Sequence, residues 1–335
     1  MLAPLQGRIV VDLLATHESH IWLIAASTCV VTNVPMRTNN ISNDTCALCR
    51  RSDDLRQSHI VPEFVWRWLK ETGGGGYLRF VFNPNKREQD GFQERILCGD
   101  CEGLFSSWEK EFSERVFVPM HRDGVSVVQY GPWLGKLCVS VCWRTLFVFH
   151  QMGSLHHFSD DLRTSAESAL TAWRDYLLDQ AKTPAPFDIH LLPLEPIQST
   201  SVTDMPPNMN RYLLRAVDLE VVCSARSAFV YCKLCQTALF GFIKMPEASA
   251  WIGTGISYGE DTIAPRNYHV PGELLPFLIG RAKLIVNSYS SMSQRQKMKI
   301  QEYISSNPDR VAESENLKAF EHDLRLFGSD AFFRD

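Results

Sequence analysis

The chain has 335 residues and a formal net charge of −4 at pH 7. Proteins that coat nucleic acid without sequence preference are usually basic, so the sequence excludes that class and leaves only a local basic patch for phosphate contacts. Apolar residues make up 45% of the chain and charged residues 21%, which excludes a protein that is disordered throughout. The length predicts two domains or one large domain.

The first 45 residues are predicted to be an extension and linker. Residues 21–31 form an apolar run of signal-peptide length, but Arg8 is the only Lys or Arg before it and the positive n-region is missing. We interpret this run as a buried strand, a short helix or a leader upstream of Met36. It is too short to cross a bilayer, and the chain has no stretch of 18 apolar residues, so no membrane partner is predicted.

Two Cys-x-x-Cys pairs carry the clearest chemical signal: Cys46 with Cys49, and Cys98 with Cys101. Ten cysteines are too few and too scattered for a disulfide framework, and in a reducing compartment such pairs usually bind metal. The segment between the pairs is longer than in a zinc ribbon, but a predicted helix and hairpin fill it. The sequence therefore predicts an intracellular (cytoplasmic) protein with one structural Zn²⁺ held by four thiolates.

The remaining cysteines are predicted to pack in the core. Cys232 and Cys235 form a third Cys-x-x-Cys pair, but apolar, strand-like residues flank it and no complete set of four ligands lies nearby. Cys29, Cys138 and Cys142 also lie in apolar segments.

Between the two metal-ligand pairs, the pattern predicts a helix that begins at Pro62 and ends near Lys70. Trp68 falls on its apolar face, and Trp66 is predicted to be half-exposed. After the four glycines at 73–76, the segments 77–82 and 92–97 read as the two strands of a hairpin. A second helix is predicted after Cys101.

The rest of the chain predicts a mixed helical and β-rich region. The patterns indicate helices at 133–149 and 160–178, the second capped by Ser159, a proline-rich connection at 183–209, strands over 211–243 and a helical tail at 292–327. The predicted fold class is α+β, with an extension at 1–45, a zinc module at 46–122 and a region of unknown role at 123–335.

Three segments resemble the HNH endonucleases that carry a four-cysteine zinc site: Cys-Ala-Leu-Cys at 46–49, Ser-His-Ile-Val-Pro at 58–62 and Leu-Cys-Gly-Asp-Cys at 97–101. The resemblance covers residues 46–122. It implies a treble-clef-like ββα zinc module and metal-dependent hydrolysis of phosphodiester bonds in nucleic acid.

The resemblance also implies the site residues. His59 matches the general base, Glu102 stands where the family has its final metal-ligating histidine, and Gln93 replaces the family asparagine. Ser58 replaces a metal ligand before the general base, and serine is a poor ligand. These residues fit a divergent endonuclease that holds Mg²⁺ or Mn²⁺ with Glu102 as candidate ligand. They also fit a non-catalytic zinc module that binds nucleic acid or protein, in which Glu102 is a favourable negative charge at a helix N-terminus.

Nucleic acid is the predicted partner, with DNA favoured over RNA, and a protein partner or an oligomer stays open. Phosphate contacts require local Lys and Arg side chains rather than overall charge. The predicted contact residues cluster near the first cysteine pair and on the predicted hairpin: Arg50, Arg51, Arg56, Lys86, Arg87 and Arg95. His121, His156 and His157 are predicted to be surface or packing residues.

Overall fold

The computed structural model describes residues 29–32, 44–224, 227–245 and 247–332. Most of the predicted N-terminal extension therefore lies outside the described residues. Helices and strands alternate irregularly along the chain, which confirms the mixed α+β class. The strands are β1 (Cys29–Thr32), β2 (Leu55–His59), β3 (Leu78–Phe80), β4 (Asn83–Glu88), β5 (Gln93–Cys98), β6 (Val128–Tyr130), β7 (Ile189–Pro193), β8 (Val217–Cys223), β9 (Ala228–Leu234), β10 (Thr237–Lys244) and β11 (Asp261–Ile263).

The helices surround these strands, and a π-helical turn, Ser113–Phe117, joins the second helix to the third. The α-helices are α1 (Glu63–Thr72), α2 (Gly99–Phe112), α3 (Val118–Arg122), α4 (Pro132–Gln151), α5 (Asp160–Leu177), α6 (Met209–Arg215), α7 (Leu274–Ser290), α8 (Gln294–Ser306), α9 (Pro308–Ala312) and α10 (Glu315–Phe327). Among the described residues, no helix has the length and apolar character needed to cross a bilayer.

The largest sheet in the described part of the chain has the strand order β4-β3-β1-β8-β9-β10-β7. β1 runs parallel to both of its neighbours, β3 and β8, while the other pairs are antiparallel. Its strands come from all three predicted segments of the chain. The division at residues 45 and 122 stays a prediction.

Helices cover both faces of this sheet. Along β9, Val230 and Cys232 pack in the core that contains α4 and α5, whereas Phe229 and Tyr231 pack in the core that contains α7. This alternation follows from the two-residue period of a strand, and burial of both faces explains why β9 reads as a continuous apolar segment. Cys232 and Cys235 are fully buried, which confirms their predicted packing role.

The predicted hairpin between 77–82 and 92–97 is wrong. β3 pairs with β4, and β5 pairs instead with β2, which places Leu55 opposite Cys98 and His59 opposite Gln93. β4 has the sequence NPNKRE and buries only Pro84. Such a polar edge strand lacks apolar alternation, so its sequence resembles a turn.

Two further predictions need correction. The predicted connection at 183–209 contains β7, and the predicted strand region at 211–243 begins within helix α6. β7 is short and gains its strand geometry from pairing with β10, a contact that local sequence does not encode. The predicted helices correspond to α1, α4, α5 and the C-terminal helices, and the Ser159 hydroxyl caps α5 by accepting from the Leu162 amide.

Trp66 is buried, not half-exposed as predicted, with only 1% of its surface accessible. Its indole nitrogen donates to the carbonyl oxygen of Val61 at 3.0 Å, and its ring lies directly against Gly91. Trp68, predicted to be core, is also buried. The loop before β5 therefore packs on α1 through a residue that has no side chain.

Replacing Gly91 with alanine is expected to destabilise the protein by about 1–3 kcal/mol, because the added methyl group would overlap the Trp66 indole and force repacking. The matched control is Gly103→Ala in α2, where an added methyl group meets nothing within 4 Å. That change should stabilise the helix by up to about 1 kcal/mol. Urea unfolding of both variants measures the difference, and equal stabilities would contradict this packing.

Candidate metal centre and adjoining histidine site

The first cysteine pair lies on a tight turn that the backbone closes. The Arg50 amide donates to the Cys46 carbonyl, and the Cys46 amide donates to the Arg51 carbonyl, each at 2.9 Å. Arg50 has a φ of 65°, the left-handed conformation that lets the chain reverse after the second cysteine. The Ala47 amide donates to the Ile96 carbonyl on β5, so the turn is fixed beside the strand that carries Cys98.

The structure brings all four predicted metal ligands together. The sulfur atoms of Cys46, Cys49, Cys98 and Cys101 lie within 4.8 Å of one another, and those of Cys49 and Cys98 are 3.7 Å apart. In a tetrahedral zinc–thiolate site with bonds of about 2.3 Å, the sulfurs lie about 3.8 Å apart. Cys49 is half-buried and the other three are buried. The four cysteines could hold a metal ion, and their separations are compatible with structural zinc.

Contact between the thiols of Cys46 and Cys101 shifts the pKa values of both groups. A hydrogen bond from Cys101 is the main cause that lowers the pKa of Cys46 to about 4, and the same contact raises the pKa of Cys101. Arg51 donates to the sulfurs of Cys49 and Cys98 at 3.4 and 3.9 Å, and to the Asp100 carboxylate at 2.7 Å. Its guanidinium charge thus faces the sulfur cluster, where it offsets thiolate charge.

His59, the predicted general base, lies at the end of β2 beside two polar side chains. Its Nε2 atom is 2.9 Å from Asp90 Oδ1 and 2.8 Å from the Gln93 amide nitrogen, which also donates to Asp90 Oδ2 at 2.6 Å. The His59 side chain is 15% exposed and that of Asp90 is 48% exposed. The structure therefore joins His59 with Gln93, and adds Asp90, which the sequence analysis missed.

Asp90 is presented to His59 by a fixed loop. The Gly91 amide donates to Asp90 Oδ1 at 2.8 Å, and Lys70 of α1 donates to the Gln89 carbonyl. Burial raises the pKa of Asp90, but hydrogen bonds from His59 and Gly91 and the charge of Lys70 outweigh burial and leave that pKa below its usual value. The Asp-Gly pair gave only a turn signal in the sequence.

Glu102 lies in the first turn of α2 and reaches β2 through Ser58. The Ser58 hydroxyl donates to Glu102 Oε2 at 2.7 Å, and Ser58 is completely buried. Ser58 and Glu102 are the two positions at which the HNH resemblance implies metal ligands. In this chain the Ser58 hydroxyl orients the Glu102 carboxylate.

A buried arginine from α4 anchors the histidine strand. Arg144 donates to the His59 carbonyl and to Glu109 Oε1, both at 2.7 Å, and its guanidinium lies 5.1 Å from the centre of the Phe105 ring. Its side chain is 1% exposed. Burial raises the pKa of Glu109, and the Arg144 charge opposes that shift. The sequence analysis missed this residue because it lies within an apolar helix.

The predicted phosphate-binding residues are exposed and mostly carry partners. Arg56 and Arg95 both pair with Asp54, at 3.8 and 3.0 Å. Lys86 pairs with Glu88 at 2.6 Å, and Arg87, also on β4, lies over the ring of Tyr77, the residue before β3. Solvent-exposed ion pairs are weak, so incoming phosphates can displace them.

The remaining histidines fit packing and surface roles. His121 donates through Nδ1 to the Phe117 carbonyl, accepts the Gln236 amide through Nε2, and stacks on the Phe117 ring. Burial lowers the pKa of His121 to about 3, which keeps its ring neutral. His156 and His157 are exposed.

Comparisons with protein-family models, curated proteins and solved structures found no match to this chain. The function is therefore inferred from the geometry of the site.

Proposed function

We propose that this protein is a divergent HNH-type endonuclease that hydrolyses phosphodiester bonds in nucleic acid, with DNA favoured over RNA. The observation that carries the proposal is the position of His59. It lies at the end of β2, in contact with Asp90 and Gln93. β2 belongs to a unit with β5 and α2, and the ends of these three elements meet at the four cysteines.

The order of elements supports a treble-clef-like ββα module. A cysteine turn is followed by β2, and β5 pairs antiparallel with β2 and continues through Cys98 into α2. Both cysteine turns therefore border the strand pair that carries His59. We propose Zn²⁺ as the metal, and because four thiolates complete its coordination, its role is structural.

His59 has the chemistry required of the base. A neutral imidazole accepts a proton from the water that attacks phosphorus and returns it near neutral pH. The Arg144 bond to the His59 carbonyl fixes the backbone, and Asp90 and Gln93 restrict the ring. Such restriction contributes to catalysis because a misplaced base loses rate steeply.

Glu102 is the proposed ligand for a divalent cation such as Mg²⁺ or Mn²⁺. It is half-buried at the start of α2, and the Ser58 hydroxyl holds one of its oxygens. Mg²⁺ commonly uses one or two carboxylates together with phosphate oxygens, which this arrangement fits. When bound, the cation would stabilise charge on the phosphate and the leaving oxygen.

A second candidate is a zinc module that binds nucleic acid or protein without cleaving it. The observation that favours it is Ser58, whose buried hydroxyl occupies a ligand position and takes up one oxygen of Glu102. The exposed Arg56 and Arg95 would serve as phosphate contacts in either case.

Cleavage of plasmid DNA and structured RNA with Mg²⁺ or Mn²⁺ tests the proposal. Loss of the base in His59→Ala should slow cleavage by about 10²–10⁴-fold, with zinc content unchanged. The control is His156→Ala, which changes an exposed histidine in the 152–158 turn region and should leave the rate unchanged. Equal cleavage by His59→Ala and the parent would sink the endonuclease mechanism, and binding without cleavage would favour the second candidate.

A further inference from the structure

Asp90 has no counterpart among the residues that the HNH resemblance implies, yet its carboxylate lies 2.9 Å from His59 Nε2. We infer that Asp90 is a positioning residue that fixes the proton of His59 on Nε2 and leaves Nδ1 as the nitrogen that accepts the proton from water. This inference rests on the proposed function for its catalytic meaning, while the protonation state of His59 can be measured independently.

The proton assignment follows from the groups around Nε2. An ionised carboxylate only accepts hydrogen bonds, so the 2.9 Å contact to Asp90 Oδ1 is favourable only when Nε2 carries the hydrogen. The Gln93 amide nitrogen lies 2.8 Å from the same nitrogen, but it directs one of its two hydrogens to Asp90 Oδ2 at 2.6 Å, and the charged oxygen is the stronger acceptor. The alternative, an unprotonated Nε2 that accepts from Gln93, would place its lone pair against the carboxylate.

The charge state of Asp90 supports the same assignment. Its pKa lies below the usual value despite partial burial, so the carboxylate stays ionised at neutral pH. A hydrogen bond to an ionised acceptor is stronger than one to a neutral acceptor. The imidazole hydrogen should therefore remain on the nitrogen that faces Asp90.

Both partners are held by the surrounding fold. On the Asp90 side, the Gly91 amide binds the carboxylate, Lys70 binds the preceding carbonyl, and the Trp66 ring packs under Gly91. On the His59 side, Arg144 binds the backbone carbonyl. Since neither backbone can shift freely, the Asp90–His59 contact is preorganised rather than incidental.

Nitrogen NMR of the full chain tests the inference, with the His59 signal assigned by His59→Gln. The parent should show the Nε2–H form of neutral His59, and Asp90→Asn should convert a large share to the Nδ1–H form. Two variants should retain the parent form: Gln93→Met, which keeps the carboxylate, and Asp53→Asn, which makes the same change at an exposed site that binds the Asp54 amide. An unchanged His59 form in folded Asp90→Asn would overturn the inference.

Cleavage provides the second readout. Asp90→Asn should reduce the rate by roughly 10²–10⁴-fold, the range expected when a base loses its orienting carboxylate. The variant should remain folded and its zinc content should match the parent, because Asp90 is half-exposed and lies outside the four-cysteine cluster. A parent that cleaves nothing would contradict the proposed function alone, and the NMR result would still decide whether Asp90 fixes the proton of His59.

Discussion

Replacing Cys46 with serine is expected to abolish tight metal binding and to unfold the module that surrounds β2, β5 and α2. The serine hydroxyl is a poor metal ligand, and three sulfurs would remain near one another without the fourth. Structural zinc sites contribute apparent binding free energies of about 10–16 kcal/mol in small zinc-finger peptides. That value is comparable with the whole stability margin of most domains, about 5–15 kcal/mol.

Metal content by mass spectrometry and thermal unfolding of the purified variant measure this effect. The control is Cys223→Ser, which makes the same substitution at a half-buried cysteine outside the sulfur cluster. It should retain one metal ion per chain and most of the parent's stability. A Cys46→Ser protein with the metal content and melting temperature of the parent would contradict the four-cysteine site.

Arg144→Met is expected to destabilise the protein by about 3–5 kcal/mol, because it removes one partner of a buried ion pair. Glu109 would remain largely buried without its counter-charge, and the His59 carbonyl would lose its hydrogen bond. The raised pKa of Glu109 should rise further in this variant. The folded state would then bind the proton more tightly than the unfolded state, so stability should fall as pH rises through that pKa.

The double variant Arg144→Met/Glu109→Leu separates charge from packing. If the uncompensated carboxylate causes the loss, removal of both charges should restore a large part of the stability. Arg163→Met provides the control, since Arg163 is partly exposed and pairs with an exposed Asp160. Urea unfolding of all variants would reject this account if Arg144→Met lost no more stability than Arg163→Met.

The cluster of four cysteines was predictable from sequence because each Cys-x-x-Cys pair defines its own local turn. Asp90 and Arg144 were not, since their roles depend on partners far along the chain. Asp90 precedes a glycine and reads as a turn residue, and the packing of Gly91 on Trp66, together with the Lys70 bond to the Gln89 carbonyl, directs it toward His59. Arg144 reads as an isolated charge in an apolar helix until β2 and α2 supply two of its acceptors.

The same distinction holds for the fold. The apolar periodicity of α1 and the capping serine of α5 are local signals, and both helices form where they were predicted. Strand pairing is non-local: β5 skips the nearer β3 and β4 to pair with β2, and β1 lies between β3 and β8. A pattern of apolar residues indicates which segments form strands, but it does not specify which strands pair with one another in a sheet.

The most direct test of the central claim, that four thiolates hold a metal ion which frames the His59 site, is X-ray absorption at the zinc edge. The measurement uses the full chain purified under reducing conditions. We expect one zinc ion per chain surrounded by four sulfur atoms at about 2.3 Å, with no nitrogen or oxygen ligand. A chain that binds no zinc under these conditions, or a zinc ion bound through nitrogen or oxygen, would contradict the account.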